Sequence, residues 1–428
     1  MYENLKEKKL LILGGIPASI EAIEKAHAYG IKAYVTDYLT DSPAKKYADK
    51  SFMVSTTDVD AVVKLCEDEK IDGVFTGNVD LLLPYYAEIC AKANLPCYGT
   101  YEHFCLMTDK KKFKDACRKY NVPTIYEYTL DDVNSGNIKY PVIVKPIDSS
   151  GSKGISVCYN SKELEKGIEK ALSFSPSKHY IIEKYMQGEE VVLYYYFQNG
   201  NPIFVGMCDR YVLKQNSGLA QLPTAYIFPS RFTKAHIEKT HEAVKNMFKG
   251  IGIKNGTMFL QAFIDNGIPC IYEPGYRLNG AREHYIISAI NDISAPDMLI
   301  HLALTGKMSE EDIEKKNDPF LRGKYACKLS PLIGKGKIGN IVGLDKIYKL
   351  QSVTKVVLNN TVGDEITDKK MGTLAQIAYR AFIVEDTIEK LKQTIDYIQN
   401  TVTYFDVDGK SMMLEKFDTN ILLKNYNP

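Results

Sequence analysis

The chain has 428 residues, which is long enough for two to four domains and a large buried core. Its 54 lysines and arginines nearly balance its 53 aspartates and glutamates, so the net charge is only +1. This balance argues against a protein that binds nucleic acid or an anionic membrane surface, and we expect neither among its partners.

The nine cysteines are scattered through apolar segments, and no pair has the close spacing of a zinc site. This pattern is typical of reduced thiols in a protein core. The N-terminal segment MYENLKEKK lacks the apolar stretch of a signal peptide, and no run of about 18 apolar residues occurs in the chain. We therefore expect a soluble, cytoplasmic protein.

Residues 9–98 alternate between strand and helix patterns. Strands are predicted at 9–13 (KLLIL), 31–37 (IKAYVTD), 71–77 (IDGVFTG) and 95–99 (LPCYG), with helices between them. This order is typical of parallel strands joined by right-handed crossovers, so it predicts a Rossmann-like sheet.

Two features at the ends of these strands are compatible with a dinucleotide site. Gly14 and Gly15 follow the first strand, and Asp37 ends the second, where an acid that binds a ribose would lie. The complete G-x-G-x-x-G pattern is missing, so the sequence favours a rim that binds or borders a small substrate over an NAD site. Residues 77–80 (GNVD) are predicted to belong to the same rim.

A basic helix is predicted after Thr108, which is a suitable N-cap residue. Lys110 lies in its first turn, where the helix dipole favours acids, and this position suggests that the lysine faces a ligand anion. The alternative, a solvated basic face, has about equal weight for Lys111, Lys112 and Lys114.

Residues 140–159 (YPVIVKPIDSSGSKGISVCY) are predicted to form two short strands around a loop of turn-forming residues. The loop, residues 148–154, is able to place backbone amides against phosphate oxygens. Lys145, at the end of the first strand, adds a cation beside it. On this stretch alone, a solvated hairpin with a surface lysine remains equally plausible.

The segment HYIIEKYMQGEEVVLYYYF predicts a strand that ends at Glu183, a connector with Gly188, and a second strand that begins at Glu189 and Glu190. Backbone groups in such a connector are not paired in a sheet, so they are available to recognise the edge of a purine ring.

Two further strands, at 256–263 and 268–273, flank the hairpin turn Asp265-Asn266-Gly267. Gln261 and Glu273 lie in strand centres that are otherwise apolar, where an unpaired carboxylate is costly. Either a metal ion or a salt bridge from Glu273 to Arg277 would compensate, and we favour the metal.

Taken in order, these parts resemble the ATP-grasp superfamily over residues 8–305, the fold of biotin carboxylase, carbamoyl phosphate synthase, D-alanine ligase, purine-pathway ligases and L-amino-acid ligases. The resemblance implies ATP and Mg²⁺ (or Mn²⁺) as cofactors, and the NAD interpretation does not explain this ordered series. The implied nucleotide-binding residues are Lys110, Lys145, Ser150, Gly151, Ser152 and Gly154, the connector residues Glu183, Lys184, Tyr185 and Met186, and Glu190 at the place of the ribose-binding acid.

The resemblance also implies a metal site at Gln261 and Glu273. It implies catalytic roles for Arg277, which would steady an acyl phosphate, and for Lys145. Two residues depart from the family pattern. Gly275 stands where an asparagine belongs in E-x-N-x-R, and Gln261 replaces the first acid, so the site has less charge and one ligand fewer.

The predicted fold is mixed α/β and α+β in three parts. These are a Rossmann-like domain (1–105), an ATP-grasp domain (106–305) with a lid at about 125–190, and a C-terminal α+β cap (306–428). The cap resembles that of amino-acid ligases and some purine ligases.

The function implied by the resemblance is an ATP-dependent ligase that forms a carbon-nitrogen bond from a carboxylate and an amine through an acyl phosphate, with an amino acid as the favoured substrate. Arg210, Arg282 and His284 are candidates to hold the acceptor carboxylate, with surface roles as plausible. The alternatives are a purine-pathway or carbamoyl-phosphate-synthase-like ligase, and a non-catalytic nucleotide-binding protein with a weakened metal site. A homodimer is kept as an option.

Overall fold

The computed structural model describes residues 3–148, 153–213 and 222–426. The described strands form four sheets, which contain four, eight, three and four strands. Within these ranges, no helix combines the length and the apolar character that crossing a membrane requires.

The first sheet is parallel and has helices packed around it. Its elements are β1 (Lys9–Leu13), α1 (Ser19–Ala28), β2 (Lys32–Thr36), β3 (Lys50–Phe52), α2 (Val59–Glu69), β4 (Gly73–Thr76) and α3 (Leu83–Lys92). The strand order is β3-β2-β1-β4. The strands predicted at 9–13, 31–37 and 71–77 are confirmed as β1, β2 and β4. They form there because their apolar residues are buried on both faces of the sheet.

The strand predicted at 95–99 is wrong, and β3 occupies the edge of the sheet instead. Residues 95–99 lack regular structure because Tyr98 is used for packing. Its ring meets Tyr276 edge to face at 5.2 Å, and its hydroxyl donates to the Tyr276 carbonyl at 3.3 Å.

Two helices follow, α4 (Tyr101–Thr108) and α5 (Lys110–Lys119). Thr108 ends α4, so the predicted N-cap of the basic helix is wrong. The N-cap is Asp109, whose carboxylate accepts from the amides of Lys111 and Lys112. An aspartate at this position neutralises the positive end of the helix that the lysines would otherwise oppose.

A small antiparallel sheet with strand order β5-β8-β6-β7 comes next. The predicted hairpin of residues 140–159 is confirmed, since Val142 lies opposite Cys158 in register. The elements of this region are β5 (Glu127–Tyr128), α6 (Leu130–Asn134), β6 (Val142–Pro146), β7 (Ser156–Cys158), α7 (Ser161–Phe174) and β8 (Tyr180–Lys184).

The first five strands of the eight-stranded sheet are β9 (Glu190–Gln198), β10 (Asn201–Leu213), β11 (Leu222–Phe228), β12 (Gly256–Asp265) and β13 (Ile268–Gly275). Two helices, α8 (Thr233–Lys239) and α9 (His241–Ile251), lie between β11 and β12 in the chain. Three more follow β13: α10 (His284–Asn291), α11 (Ala295–Thr305) and α12 (Ile313–Lys316). The predicted hairpin of β12 and β13 is confirmed. Asn266 and Gly267 take positive φ at its turn, as a two-residue loop of this kind requires.

The C-terminal strands continue this sheet, whose full order is β13-β12-β9-β10-β11-β14-β18-β16. The sheet therefore runs without a break across residue 305. The remaining elements are β14 (Tyr325–Leu329), β15 (Gly336–Val342), α13 (Leu344–Ile347), β16 (Val353–Leu358), β17 (Glu365–Ile366), β18 (Tyr379–Glu385), α14 (Ile388–Thr401), β19 (Thr403–Asp406) and α15 (Asn420–Tyr426).

Candidate functional site

A buried carboxylate, Glu183, lies between two lysines from different elements. Lys145 of β6 approaches it at 2.5 Å, and Lys114 of α5 contacts its other oxygen. All three side chains are buried or nearly so, with exposures of 11%, 2% and 1% for Lys145, Lys114 and Glu183. The two ammonium groups repel each other and are removed from water, so the shared carboxylate is what stabilises the cluster.

Lys114 belongs to this cluster, and the sequence did not single it out as a ligand-facing residue. The interpretation of Lys114 as part of a solvated basic face is wrong, because its side chain is only 2% exposed. The helical period contains the signal that was missed, since Lys114 lies one turn after Lys110 on the same side of α5.

Burial, together with the cations of Lys114 and Lys110, lowers the pKa of Lys145 to about 7. Burial also lowers the pKa of Lys114, to about 8. The negative charge of Glu273 opposes this shift, because it raises the pKa of Lys145. Lys110 and Glu273, two other residues selected from the sequence, therefore each lie within electrostatic reach of Lys145.

The predicted lid-loop residues Ser150, Gly151 and Ser152 lie outside the described residues. Gly154 is described and has a φ of +75°, a conformation that glycine adopts without strain. A Cβ at this position would lie 2.7 Å from carbon atoms of both Phe174 and Pro146. The end of the loop is thus fixed against α7 and β6.

Several backbone and side-chain groups of the connector after β8 are already engaged in hydrogen bonds or ion pairs, whereas the sequence predicts a connector with unpaired backbone groups. The amides of Lys184 and Tyr185 donate to the carbonyls of Tyr126 and Pro141, at 2.9 and 3.2 Å. The ammonium of Lys184 pairs with Asp265 at 3.0 Å. Among the described residues, Met186, Gln187 and Gly188 make no hydrogen bond, so the backbone of Met186 is free to meet a ligand.

The Glu190 carboxylate contacts the guanidinium of Arg210, its neighbour across β9 and β10. Both side chains are largely buried, with exposures of 9% and 15%. Arg210 also hydrogen-bonds Tyr226. A ribose hydroxyl would have to share Glu190 with this arginine.

Gln261 and Glu273 are direct partners in the β12-β13 register. The Gln261 Oε1 atom accepts a hydrogen bond from the Tyr272 hydroxyl at 2.7 Å. Glu273 is exposed, contrary to its predicted burial, and no salt bridge joins it to Arg277 in the described structure. The ion-pair alternative is therefore wrong, because Arg277 binds another carboxylate.

That carboxylate is Asp80, which follows β4 in the N-terminal sheet. The Arg277 guanidinium donates through Nε and Nη2 to the two carboxylate oxygens of Asp80, each at 2.6 Å, and through Nη1 to the Leu278 carbonyl at 2.9 Å. It also lies 5.1 Å from the centre of the Phe259 ring. Arg277 is thus held in one orientation by charge and by an aromatic face.

The position of the Phe259 ring requires a glycine at residue 275. A Cβ on Gly275 would lie 2.1 Å from Cζ of the Phe259 ring, so no larger side chain fits without displacing the ring. The ring that supports Arg277 therefore crowds the position at which the family pattern has an asparagine.

Arg282 and His284 are engaged by Glu21 of α1, at 3.3 and 2.8 Å. These hydrogen bonds and charges lower the pKa of Glu21 to about 2 although burial opposes them. An acceptor carboxylate at this position would compete with an internal one, which weakens the case for both residues as direct ligands.

The side chains present fit a magnesium ion that takes most of its ligands from a nucleotide. Among the described residues, no group of three or more His, Cys, Asp or Glu side chains is arranged to hold a metal ion. One exposed carboxylate, Glu273, and one amide oxygen, Gln261, are paired in register. Mg²⁺ commonly binds one or two protein oxygens together with phosphates and water.

A family model described as an ATP-grasp domain matches residues 138–280. The carbamoyl phosphate synthase large chain of Clostridium acetobutylicum is 24% identical over 372 residues, which cover 79% of this chain. The chain spans only 34% of the length of that relative.

Solved structures share the fold over nearly the whole chain. Phosphoribosylglycinamide synthetase from Anaerococcus prevotii has a TM-score of 0.75 at 21% identity, covering 94% of this chain and 100% of the other. L-amino acid ligase from Bacillus licheniformis has a TM-score of 0.74 at 19% identity, with coverages of 94% and 99%. Biotin carboxylase from Campylobacter jejuni has a TM-score of 0.73 at 20% identity, with coverages of 99% and 96%.

Proposed function

We propose that the chain, whose residues 138–280 match an ATP-grasp domain and whose fold is shared by solved ligases, is an ATP-dependent, ADP-forming ligase of that superfamily. In this proposal ATP phosphorylates a substrate carboxylate, and an amine then displaces phosphate to form a carbon-nitrogen bond. The observation that carries the proposal is the convergence of Lys110 and Glu273 on Lys145, from three separate elements.

The proposed roles follow from charge and position. Lys110 and Lys145 bind the phosphates, and the backbone of Met186 meets the adenine edge. Phosphoryl transfer needs positioned charges and little covalent chemistry from the protein, and a cluster of buried lysines supplies them. Phosphates would take the place that the Glu183 carboxylate now holds beside Lys145.

Arg277 is proposed to stabilise the anion that develops on the acyl phosphate. Its salt bridge to Asp80 fixes the guanidinium plane before the substrate arrives, and the Phe259 ring supports the guanidinium at 5.1 Å. Gln261 and Glu273 would hold magnesium, which neutralises phosphate charge when it is bound.

Amino acids are the favoured substrates within this proposal. One structural neighbour is named an L-amino acid ligase and covers 94% of the chain. A purine-pathway or carbamoyl-phosphate-synthase-like reaction is the nearest alternative, in keeping with the names of other relatives. Mixed α/β architecture with a Rossmann-like first domain, a lid and a C-terminal cap fits all three.

A second candidate function, a non-catalytic nucleotide-binding protein, is favoured by one observation. The Phe259 ring crowds the asparagine position, and Gln261 supplies an amide in place of an acid, so a single carboxylate, Glu273, remains at the site. Such a protein would bind ATP without turning it over.

The experiment incubates the protein with ATP, magnesium and hydroxylamine against a panel of carboxylates, and measures hydroxamate and ADP. The ligase predicts carboxylate-dependent formation of both products, with Lys166→Ala, an exposed site on α7, as the matched control for Lys145→Ala. ATP binding without any carboxylate-dependent ADP would favour the second candidate.

A further inference from the structure

A row of side chains crosses the eight-stranded sheet from the proposed nucleotide site toward the C-terminal strands. The row consists of one residue from each of five adjacent strands, β9, β10, β11, β14 and β18, and each residue is the register partner of the next. In that order the residues are Glu190, Arg210, Tyr226, Lys328 and Phe382. Residues that lie directly opposite one another project from the same face of a sheet, so the row lies on a single face. Gln261 shares this face, since its partner Val192 is two residues from Glu190.

The positive charge of Arg210, at the nucleotide end of the row, is balanced by a carboxylate, whereas, among the described residues, the positive charge of Lys328, toward the C-terminal strands, is not. Glu190 pairs with Arg210. Lys328, in contrast, is 3% exposed and has no carboxylate partner in the described part of the chain. Its ammonium lies 3.7 Å from the centre of the Tyr226 ring. A cation-π contact of this kind does not replace the hydration that a buried ammonium loses.

Arg380 places a second cation beside Lys328. It is two residues before Phe382 on β18, and therefore lies on the same face as the residues of the row. Its Nη1 atom donates to Asn359 at 3.0 Å, whereas its buried Nε has no hydrogen-bond partner among the described residues. No carboxylate in those residues forms an ion pair with Arg380.

The local electrostatics favour the arrival of an anion. Burial and the Arg380 cation lower the pKa of Lys328, and burial with the Arg282 cation lowers the pKa of Arg380 to about 10. The nearby Glu283 is a weak counter-charge, because burial raises its pKa to about 8. One carboxyl oxygen of Glu283 is also buried without a hydrogen bond.

We propose that Lys328 and Arg380 form an anion-binding subsite for a carboxylate or phosphate group that the substrate carries in addition to the carboxylate that is activated. The proposal rests on the ligase function proposed above and narrows its substrate to acids with a second anionic group. Arg380 and Tyr285 are only partly buried, so the subsite is open on that side, and Tyr285 and Phe382 pack as an aromatic wall with centroids 4.9 Å apart.

The test is thermal melting with inorganic phosphate and, separately, malonate as probes. A bound anion should raise the Tm of the wild-type protein by about 2–4 °C at saturation. Lys328→Met and Arg380→Gln should each lose this shift. Lys324→Met is the matched control, because Lys324 is a partly exposed cation just before β14 that pairs with Asp386, and the Tm shift of this variant should persist.

Lys328→Met has a second signature that separates a ligand site from a structural contact. Replacing a buried, unpaired charge by an apolar side chain of similar length should leave the anion-free Tm equal or raise it. A fall of several degrees would identify Lys328 as a structural partner of Tyr226 and overturn the proposal. An unchanged probe-induced shift in both variants would overturn it as well.

Two further comparisons distinguish the source of the anion and the site that binds it. Lys145→Ala should keep the shift, because the subsite is distinct from the proposed phosphate lysines. If Lys145→Ala alone lost the shift, the probe would be occupying the nucleotide site and the proposal would fail. A larger shift with malonate than with phosphate assigns the subsite to carboxylates, and the reverse assigns it to phosphates.

These binding measurements need no turnover, so they stand even if the ligase function fails. With a substrate from the carboxylate panel, Arg380→Gln should raise the KM for that carboxylate roughly tenfold or more and leave the KM for ATP unchanged. A rise in the KM for ATP alone would place Arg380 in nucleotide binding and overturn the assignment.

Discussion

Arg277 and Asp80 form a salt bridge with two parallel hydrogen bonds, Nε to Oδ1 and Nη2 to Oδ2, both 2.6 Å long. The two residues are 197 positions apart in the chain, one after β4 of the first sheet and one after β13 of the eight-stranded sheet. A bidentate pair of this kind fixes the guanidinium plane as well as its position.

Asp80→Asn should lower kcat, because an amide cannot hold both donors of Arg277 with the same strength. We expect a loss of roughly 10- to 100-fold, the size of effect that misplacing a reacting group produces, with the KM for ATP little changed. Asp60→Asn is the control, since Asp60 pairs with Lys92 at the surface of the same region. An Asp80→Asn enzyme with wild-type kcat would show that Arg277 does not depend on this carboxylate.

Lys145→Ala should remove turnover and leave the fold intact. The expected loss is about 10²–10³-fold, as for the removal of one preorganised charge from a transition state. The buried Glu183 would keep Lys114 as a partner, so melting should change little. Carboxylate-dependent ADP formation is the measurement, and a folded variant with undiminished activity would refute the role.

The pH dependence should report the same lysine. In the free protein the pKa of Lys145 is about 7, because burial and the neighbouring Lys114 and Lys110 cations disfavour its charge. Since only the ammonium attracts phosphate, kcat/KM for ATP should fall as pH rises above about 7. Bound phosphates raise the pKa again, so kcat should fall only at higher pH. Arginine keeps its charge over this pH range, so in Lys145→Arg the fall of kcat/KM for ATP above about pH 7 should disappear. A pH profile unchanged from that of the wild-type protein would refute this assignment.

Local chemistry made the hairpins predictable from the sequence. The turn Asp265-Asn266-Gly267 and the β-branched runs around Lys145 specify strand pairing within a short stretch of chain. The strand predicted at 95–99 was wrong because tertiary packing of Tyr98 on Tyr276 outweighed its local β-propensity.

The contacts of the site were not predictable in the same way. The sequence indicates which residue types are present at Lys110, Lys145 and Glu273, and the order of motifs groups them. It does not reveal that Lys114 turns inward to Glu183, or that Asp80 reaches Arg277. These pairings depend on how separate sheets pack, and no local pattern encodes that geometry.

Gly275→Asn should destabilise the protein rather than tighten magnesium binding. The new Cβ would overlap the Phe259 ring, and overpacking of this kind costs about 1–3 kcal/mol in free energy of unfolding. The cause is steric, because Gly275 is not among the glycines with positive φ. Gly267→Asn is a suitable control, since that turn has open space and asparagine tolerates its conformation. Denaturant melts that ranked the two variants equally would contradict the steric explanation.

Glu273→Gln tests the metal site most directly. Gln261 already supplies a neutral oxygen, so this change would leave no carboxylate in the β12-β13 pair, and the site would attract Mg²⁺ only through the nucleotide. Because Glu273 is exposed, its replacement should not unfold the protein. We expect activity to fall by at least tenfold at low magnesium and the half-saturating magnesium concentration to rise steeply. Glu415→Gln, at an exposed position in the C-terminal region, controls for a general loss of negative charge. If Glu273→Gln melts normally and gives the wild-type magnesium curve, the carboxylate does not bind the metal. In that case the non-catalytic nucleotide-binding function gains support, since no acid would remain at the proposed metal site.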